Sequence, residues 1–379
     1  MPYVPNPTNA AEPLDSEAAG TAAAEFRALK GRVNTLAGTL ASNARNKIIN
    51  GKMEIAQRGT SFAAIGDGVY SLDRWVYSLA GTTAAATVSQ QADAPSNNEF
   101  QNSLRYTVTT ADTSIAAGDV ALLNQKIEGF NARDLIGKAF TLSFWVRSSK
   151  TGTHCIALRN STNDRSYIAE YTVSAANTWE QKAVTVPGGL ITAGSWNWSN
   201  GIGLQVAWTL AAGTTYQTTA GAWQTGNFLA TANQVNCLDS NTNIFAITGV
   251  QLGDGSVATP FEHRPIGAEL ALCQRYFEKS YLLADAPGTI GGNRSFRAST
   301  QAASNYMSVN SQFAVRKRAA PTIVTYNPST GTTGQFVADS TNIAVTSLAD
   351  EAGLVVYANN VAVVANQFFN GHWTASAEL

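Results

Sequence analysis

Two periodicities divide the chain. Between residues 139 and 146, Phe140, Leu142, Phe144 and Val146 alternate with Thr141, Ser143 and Trp145, the period of two that marks a half-buried strand. Ala183-Val184-Thr185-Val186 before Pro187-Gly188-Gly189, residues 201–210 and residues 243–252 read as further strands with turn-forming residues between them. In the last of these, Phe245, Ile247, Val250 and Leu252 alternate with a slip around Gly249, and Gly253-Asp254-Gly255-Ser256 then offers residues that tolerate positive φ. Many short strands separated by such turns predict an antiparallel jelly-roll sandwich over residues 46–265. Pro260 and Pro265 stiffen its exit, and Ile266 to Ser280 is predicted as a linking helix. The rest of residues 266–379 returns to β patterning, with strands expected at 306–315, 322–326, 335–337, 342–347, 354–357 and 361–369, a second small C-terminal β-sandwich.

The other periodicity lies at the N-terminus. Residues 1–13 hold Pro2, Pro5, Pro7 and Pro13 and predict an extended arm. From Asp15 or Ser16 the pattern turns helical. Phe26, Leu29, Val33, Leu36 and Leu40 recur at spacings of 3, 4, 3 and 4, an a/d seam. The aliphatic part fills only about two heptads, so a helix docked on its own chain competes with a short coiled coil as the reading. The fold class is therefore mainly β, preceded by a 1–45 arm and α-helix.

Composition narrows the chemistry. The 379 residues have room for two or three domains of roughly 150 residues. Charged residues make up only 13%, and 25 Lys+Arg stand against 26 Asp+Glu, so nothing global favours nucleic acid or an anionic membrane. Cys155, Cys237 and Cys273 are far apart and are expected as reduced, buried thiols. The opening residues carry no secretory signal pattern and no run is apolar enough to span a bilayer, so a soluble chain made in a cytoplasm is expected, with no membrane insertion.

Catalytic constellations are sparse. A nucleophilic triad needs a histidine, and His154, His263 and His372 are the three present. His154 and Cys155 are neighbours on a strand and face opposite ways. Glu99, Asp112, Asp119, Glu128, Asp134 and Asp164 are scattered singly and read as solvated loop charges; Asp254 stands alone as a cation ligand. No zinc spacing and no phosphate-loop motif occurs, so no catalytic residue, metal or cofactor is expected. Arg316-Lys317-Arg318 reads as an exposed turn. The aromatic residues are more informative. Trp196 and Trp198 in GSWNWSNG, with Asn200 and then Tyr216, have the ingredients of a glycan platform, because sugar C–H faces pack on aromatic rings while amides orient the hydroxyls. Tryptophans that fill the sandwich or a subunit contact are the competing reading, and Trp75 and Trp145 are expected in the core.

Three strings carry a resemblance. NKIINGKMEIAQRGTSF with YSLDRWVY, and ATPFEHRPIGAELALCQRYFEKSY, are similar to the opening and closing segments of the carbohydrate-binding-module-like jelly-roll domain of many bacteriophage tail-fibre and other virion proteins. Trp179 and Trp223 sit where that family usually has tryptophan. The ending HWTASAEL and the run VRKRAAPTIVTY also resemble C-terminal regions of such proteins. The resemblance implies a non-enzymatic virion component assembled in the host cytoplasm. In this reading it is a homotrimeric tail fibre attached to other virion proteins through residues 1–45 and touching a host cell-surface glycan. A head fibre or capsid decoration protein, and a glycan-degrading tail spike, are the alternatives.

Overall fold

The computed structural model describes residues 46–96, 99–188, 193–291, 295–299, 304–364 and 367–379. The arm and the seam residues Phe26, Leu29, Val33, Leu36 and Leu40 lie outside the described residues. The described chain is mainly β, as the alternation predicts. Twelve strands come first: β1 (Ser61–Phe62), β2 (Val76–Ala80), β3 (Ala85–Gln91), β4 (Ser103–Thr110), β5 (Val120–Glu128), β6 (Phe140–Ser148), β7 (Gly152–Arg159), β8 (Arg165–Val173), β9 (Glu180–Val186), β10 (Ile202–Ala212), β11 (Trp223–Thr225) and β12 (Ile244–Asp254). They pair antiparallel in two six-stranded sheets, the first in the order β1-β3-β4-β12-β6-β9 and the second in the order β11-β8-β7-β10-β5-β2.

The core between the sheets is the alternation made solid. Phe140, Leu142, Phe144 and Val146 of β6 and Phe245, Ile247, Val250 and Leu252 of β12 meet Leu204, Val206, Trp208 and Leu210 of β10 in one buried cluster. Successive strand residues point to opposite faces, so one hydrophobic set per strand closes the interior. The slip near Gly249 is a bulge: the β12–β6 register shifts between Thr248 and Gln251. Gly249 has φ +58°, and a Cβ there would lie 2.6 Å from the Phe100 ring. Trp75 is fully buried, whereas Trp145, expected in the core, is half-buried on the outer face of the first sheet, since it shares the phase of Thr141 and Ser143.

His154 faces inward and Cys155 outward. The His154 ring stacks on Tyr171 at 5.6 Å, its Nε2 lies 3.1 Å from the Lys150 carbonyl oxygen, and burial pushes its pKa below 6.5. Below pH 6.5 the unfolded chain therefore takes up a proton that the folded imidazole refuses, and stability falls as pH drops through that window. Replacing the ring in His154→Phe is expected to flatten the loss of melting temperature between about pH 7 and about pH 5. An unchanged slope would show that other groups set it.

Helix α1 (Ile266–Gln274) links this sandwich to the C-terminal strands. It stops earlier than the predicted Ser280, because Phe277–Lys279 (β13) leaves the helix to pair with Phe368–Ser376 (β21). Cys273 and Tyr276 are buried against Ile49 and Ile55 of the first sandwich. The joint is lined with charge. Arg74, 1% exposed, ion-pairs with Glu378 and lies 3.6 Å over the Tyr276 ring. Arg58 lies 3.0 Å from Glu378 and 3.7 Å over Phe277. Glu128, read from sequence as a loop charge, is instead 1% exposed at the end of β5, where it accepts bonds from Arg275 at 2.6 and 2.9 Å and from the Tyr276 hydroxyl at 2.7 Å. Lys317 is likewise no exposed turn residue: it is buried and paired with Glu278 at 2.5 Å. A buried charge persists only with such partners.

The C-terminal strands form the expected small sandwich. One sheet centres on β21, flanked by β13, β14 (Phe296–Ser299), β16 (Thr322–Tyr326) and β17 (Gln335–Ala338), with β18 (Thr341–Ala344) beside β17. The other is β15 (Ser304–Gln312), β20 (Gly353–Val363) and β19 (Thr346–Ala349). Phe313, Phe336, Phe369 and Trp373 anchor the core between them. The single strand expected at 342–347 is two, and β20 continues through Asn359, opposite Tyr306, and Asn360, where its register with β15 shifts.

Candidate functional site

The segment between β9 and β10 carries the paired tryptophans. Trp196 and Trp198 are two residues apart in an extended stretch, so their side chains point the same way. The rings lie parallel, with centroids 5.3 Å apart and 3° between planes. Trp196 meets Trp223 edge-on at 5.5 Å, and Trp223 packs on Tyr167 at 5.7 Å. Both leading rings are half-buried against the sandwich core, with Trp223 buried behind them. The segment is pinned from below by the turn Gly129–Ala132: the Gly129 amide donates to the Gly201 carbonyl at 2.8 Å and Phe130 to Ser199 at 2.9 Å. A Cβ at Gly129 would collide with the Asn197 carbonyl oxygen, so glycine permits the close approach.

An amide and hydroxyl loop borders the tryptophans. Asn160 Nδ2 and Ser161 Oγ donate to the Ser195 carbonyl at 3.0 and 2.6 Å, while the Asp164 carboxylate accepts the Ser195 amide at 3.1 Å. The hydrogen bond from Asn160 holds the Asp164 carboxyl below the usual carboxylate range. The same loop reaches the outer face of the second sheet, where Gln205 Nε2 donates to the Asn160 carbonyl at 3.0 Å and to Asn163 Oδ1 at 2.7 Å. Gln205 is flanked in register by Arg159 of β7 and Lys126 of β5. Arg159 donates to Asn227 Oδ1 at 2.8 Å and to Gln205 Oε1 at 3.3 Å. Hydrogen bonds through Asn160 and Asn163 thus connect the segment of the aromatic pair with the cationic row at Gln205.

The four predicted platform residues separate. Trp196 and Trp198 come together. Asn200 turns to the joint, bonding with the Arg318 backbone and guanidinium at 3.3 and 2.9 Å. Tyr216 lies half-buried over the outer face of the second sheet against the cluster of Ala207, Leu229 and Ala230. Arg159, Gln205 and Asn163 carry no sequence signal beyond an outward strand phase at Gln205. No group of three or more His, Cys, Asp or Glu that could hold a metal occurs among the described residues. His263 Nε2 lies 3.1 Å from Glu99 at the exit of the sandwich. A cavity of about 430 Å³ opens on the β15–β20–β19 sheet, lined by residues that include Gln312, Leu348 and Asp350 and by no aromatic ring.

No protein-family model matches the chain, and no curated protein matches it. Among solved structures it is similar to the enzymatically active domain of tailspike protein 4 of bacteriophage CBA120, at 16% identity and a TM-score of 0.32 over 56% of this chain and 22% of that one. It is similar to a module described as CBM4, at 14% identity and a TM-score of 0.30 over 54% of this chain and 98% of that one. A third likeness is the family 11 carbohydrate-binding module of Clostridium thermocellum in complex with a β-1,3-1,4-mixed-linked tetrasaccharide, at 10% identity and a TM-score of 0.29 over 53% of this chain and 99% of that one. The chain thus spans 22% of the tailspike's length and nearly all of each module's.

Proposed function

We propose that the chain is a non-enzymatic structural component of a phage virion, a trimeric tail fibre held through residues 1–45, whose first sandwich binds a host-surface glycan. The observation that carries the binding reading is the half-exposed, parallel Trp196–Trp198 pair beside a loop of amides and hydroxyls. Flat apolar rings next to oriented donors and acceptors suit a sugar, which has a C–H face and a hydroxyl rim. The strings at both ends of the first sandwich support the virion assignment by their resemblance. The buried carboxylates Glu128 and Glu278 hold cations at and beyond the joint, which supports a structural use of acidic groups. Three copies would turn a weak site into useful avidity.

Binding of the full chain to a panel of bacterial capsular and lipopolysaccharide glycans tests this. Trp198→Ala is expected to weaken glycan binding at least about tenfold, the factor for ~1.4 kcal/mol, with a smaller loss of melting temperature than truncation of a fully buried tryptophan. Undiminished binding would remove the tryptophans from the site, and released oligosaccharide would make the protein an enzyme. Light scattering on the full chain and on a variant lacking residues 1–45 tests the trimer: monomers in both cases would end the seam argument.

A further inference from the structure

We propose that the outer face of the second sheet, at Arg159, Gln205 and Tyr216, is a subsite for an anionic group, and that the glycan recognised is an acidic polysaccharide whose carboxylate docks there. This rests on the glycan reading above and adds the substrate class. Arg159 is 7% exposed, and among the described residues no carboxylate pairs with it. Its guanidinium has five N–H donors. The two bonds to Asn227 and Gln205 go to neutral amide oxygens, and the buried Nε has no acceptor. Among the described residues, the other arginine this deeply buried has an answer: Arg74, which is 1% exposed, has Glu378 and the Tyr276 ring.

An uncompensated buried guanidinium costs stability, so a fold that retains one for structure alone would supply a carboxylate. Burial pushes the Arg159 pKa down to about 10, and the Tyr216 hydroxyl is the group that opposes this. Lys126, across Gln205, adds a second cation but is already engaged, with its Nζ 2.8 Å from the Leu379 carbonyl oxygen and Glu378 nearby. Arg159 is therefore the group left to meet a ligand. The rim suits a sugar acid: Asn227 is exposed, Tyr216 is half-buried, and Asn163 links Gln205 to the loop that borders Trp196. The loop from Asn160 to Asp164 thus bonds on one side to Ser195, next to Trp196, and on the other to Gln205, next to Arg159.

The test uses the full chain and two readouts. First, melting temperature is measured in sodium glucuronate, in its neutral methyl ester and in sodium chloride. The wild type is expected to gain stability in glucuronate alone, and Arg159→Gln to lose that gain while melting no lower than wild type in chloride. Second, carboxylated, sulfated and neutral glycans are compared. Carboxylated glycans are expected to bind, and Arg159→Gln to weaken them by at least about tenfold, while Arg159→Lys retains part of the affinity. Carboxylated glycans bound equally well by Arg159→Gln would overturn the subsite and leave the glycan reading intact. A glucuronate response without any glycan binding would keep the anion site and end the glycan reading. Preference for sulfated over carboxylated glycans would reject the carboxylate assignment.

Discussion

Glu378→Gln should destabilise the protein by about 3–5 kcal/mol, the cost of removing one partner from a buried ion pair. The reason lies at the joint. Arg74 is 1% exposed and Glu378 is its counter-charge; Arg58 leans on the same carboxylate from 3.0 Å. Burial opposes the charge on Arg74, and Glu378, aided by Tyr276, Tyr70 and Cys273, outweighs it, holding the guanidinium pKa above its ordinary value. Without the carboxylate, two guanidinium groups remain over the Tyr276 and Phe277 rings with their shared partner gone. Chemical denaturation measures the loss. The double substitution Arg74→Met with Glu378→Leu should recover most of it, because an apolar pair of similar volume often equals a buried ion pair. A single-variant cost below about 1 kcal/mol would place the pair with surface ion pairs and remove it as the fixed point of the joint.

Trp208→Ala should cost about 3–5 kcal/mol and lower the melting temperature by roughly 10 °C. Trp208 is fully buried in β10, 5.5 Å from Trp75 and 5.5 Å edge-on from Phe144, and its loss opens a cavity between the sheets. Trp208 lies only ten positions beyond Trp198, yet the half-buried Trp198 is expected to change binding and to cost clearly less stability. The pair of variants, compared by calorimetry, separates a tryptophan that fills the sandwich from one that is half-buried at its margin. Equal destabilisation by both would mean that Trp198 belongs to the core.

What could be read from sequence was what depends on neighbours along the chain. The alternation of Phe140 to Val146, the slip at Gly249, the strand at Thr322–Tyr326 and a helix beginning at Ile266 are local patterns, and each has its counterpart in the structure. The charges at the joint were not legible for the opposite reason. Glu128 meets Arg275 across 147 positions and Arg74 meets Glu378 across 304, so nothing near either residue marks it as buried. The same holds for the candidate site. WNW placed two rings on one side of an extended stretch, which spacing alone predicts. Asn200 was drawn to the joint by Arg318, and Arg159 gained its importance only when the folded sheet set it beside Gln205 with no carboxylate in reach. Trp145 shows the limit of composition: a tryptophan in a strand was expected inside, but the phase of its polar neighbours put it outside.

The claim that matters most is that the surface at Trp196 and Trp198 binds sugar. The eight tryptophans give eight indole N–H signals, and their assignment by single substitutions makes each ring a reporter. On titration of the full chain with the glycan selected from the panel, the Trp196 and Trp198 signals should move progressively to saturation while those of Trp75 and Trp208 stay fixed. Saturable binding that leaves Trp196 and Trp198 unmoved would contradict the account.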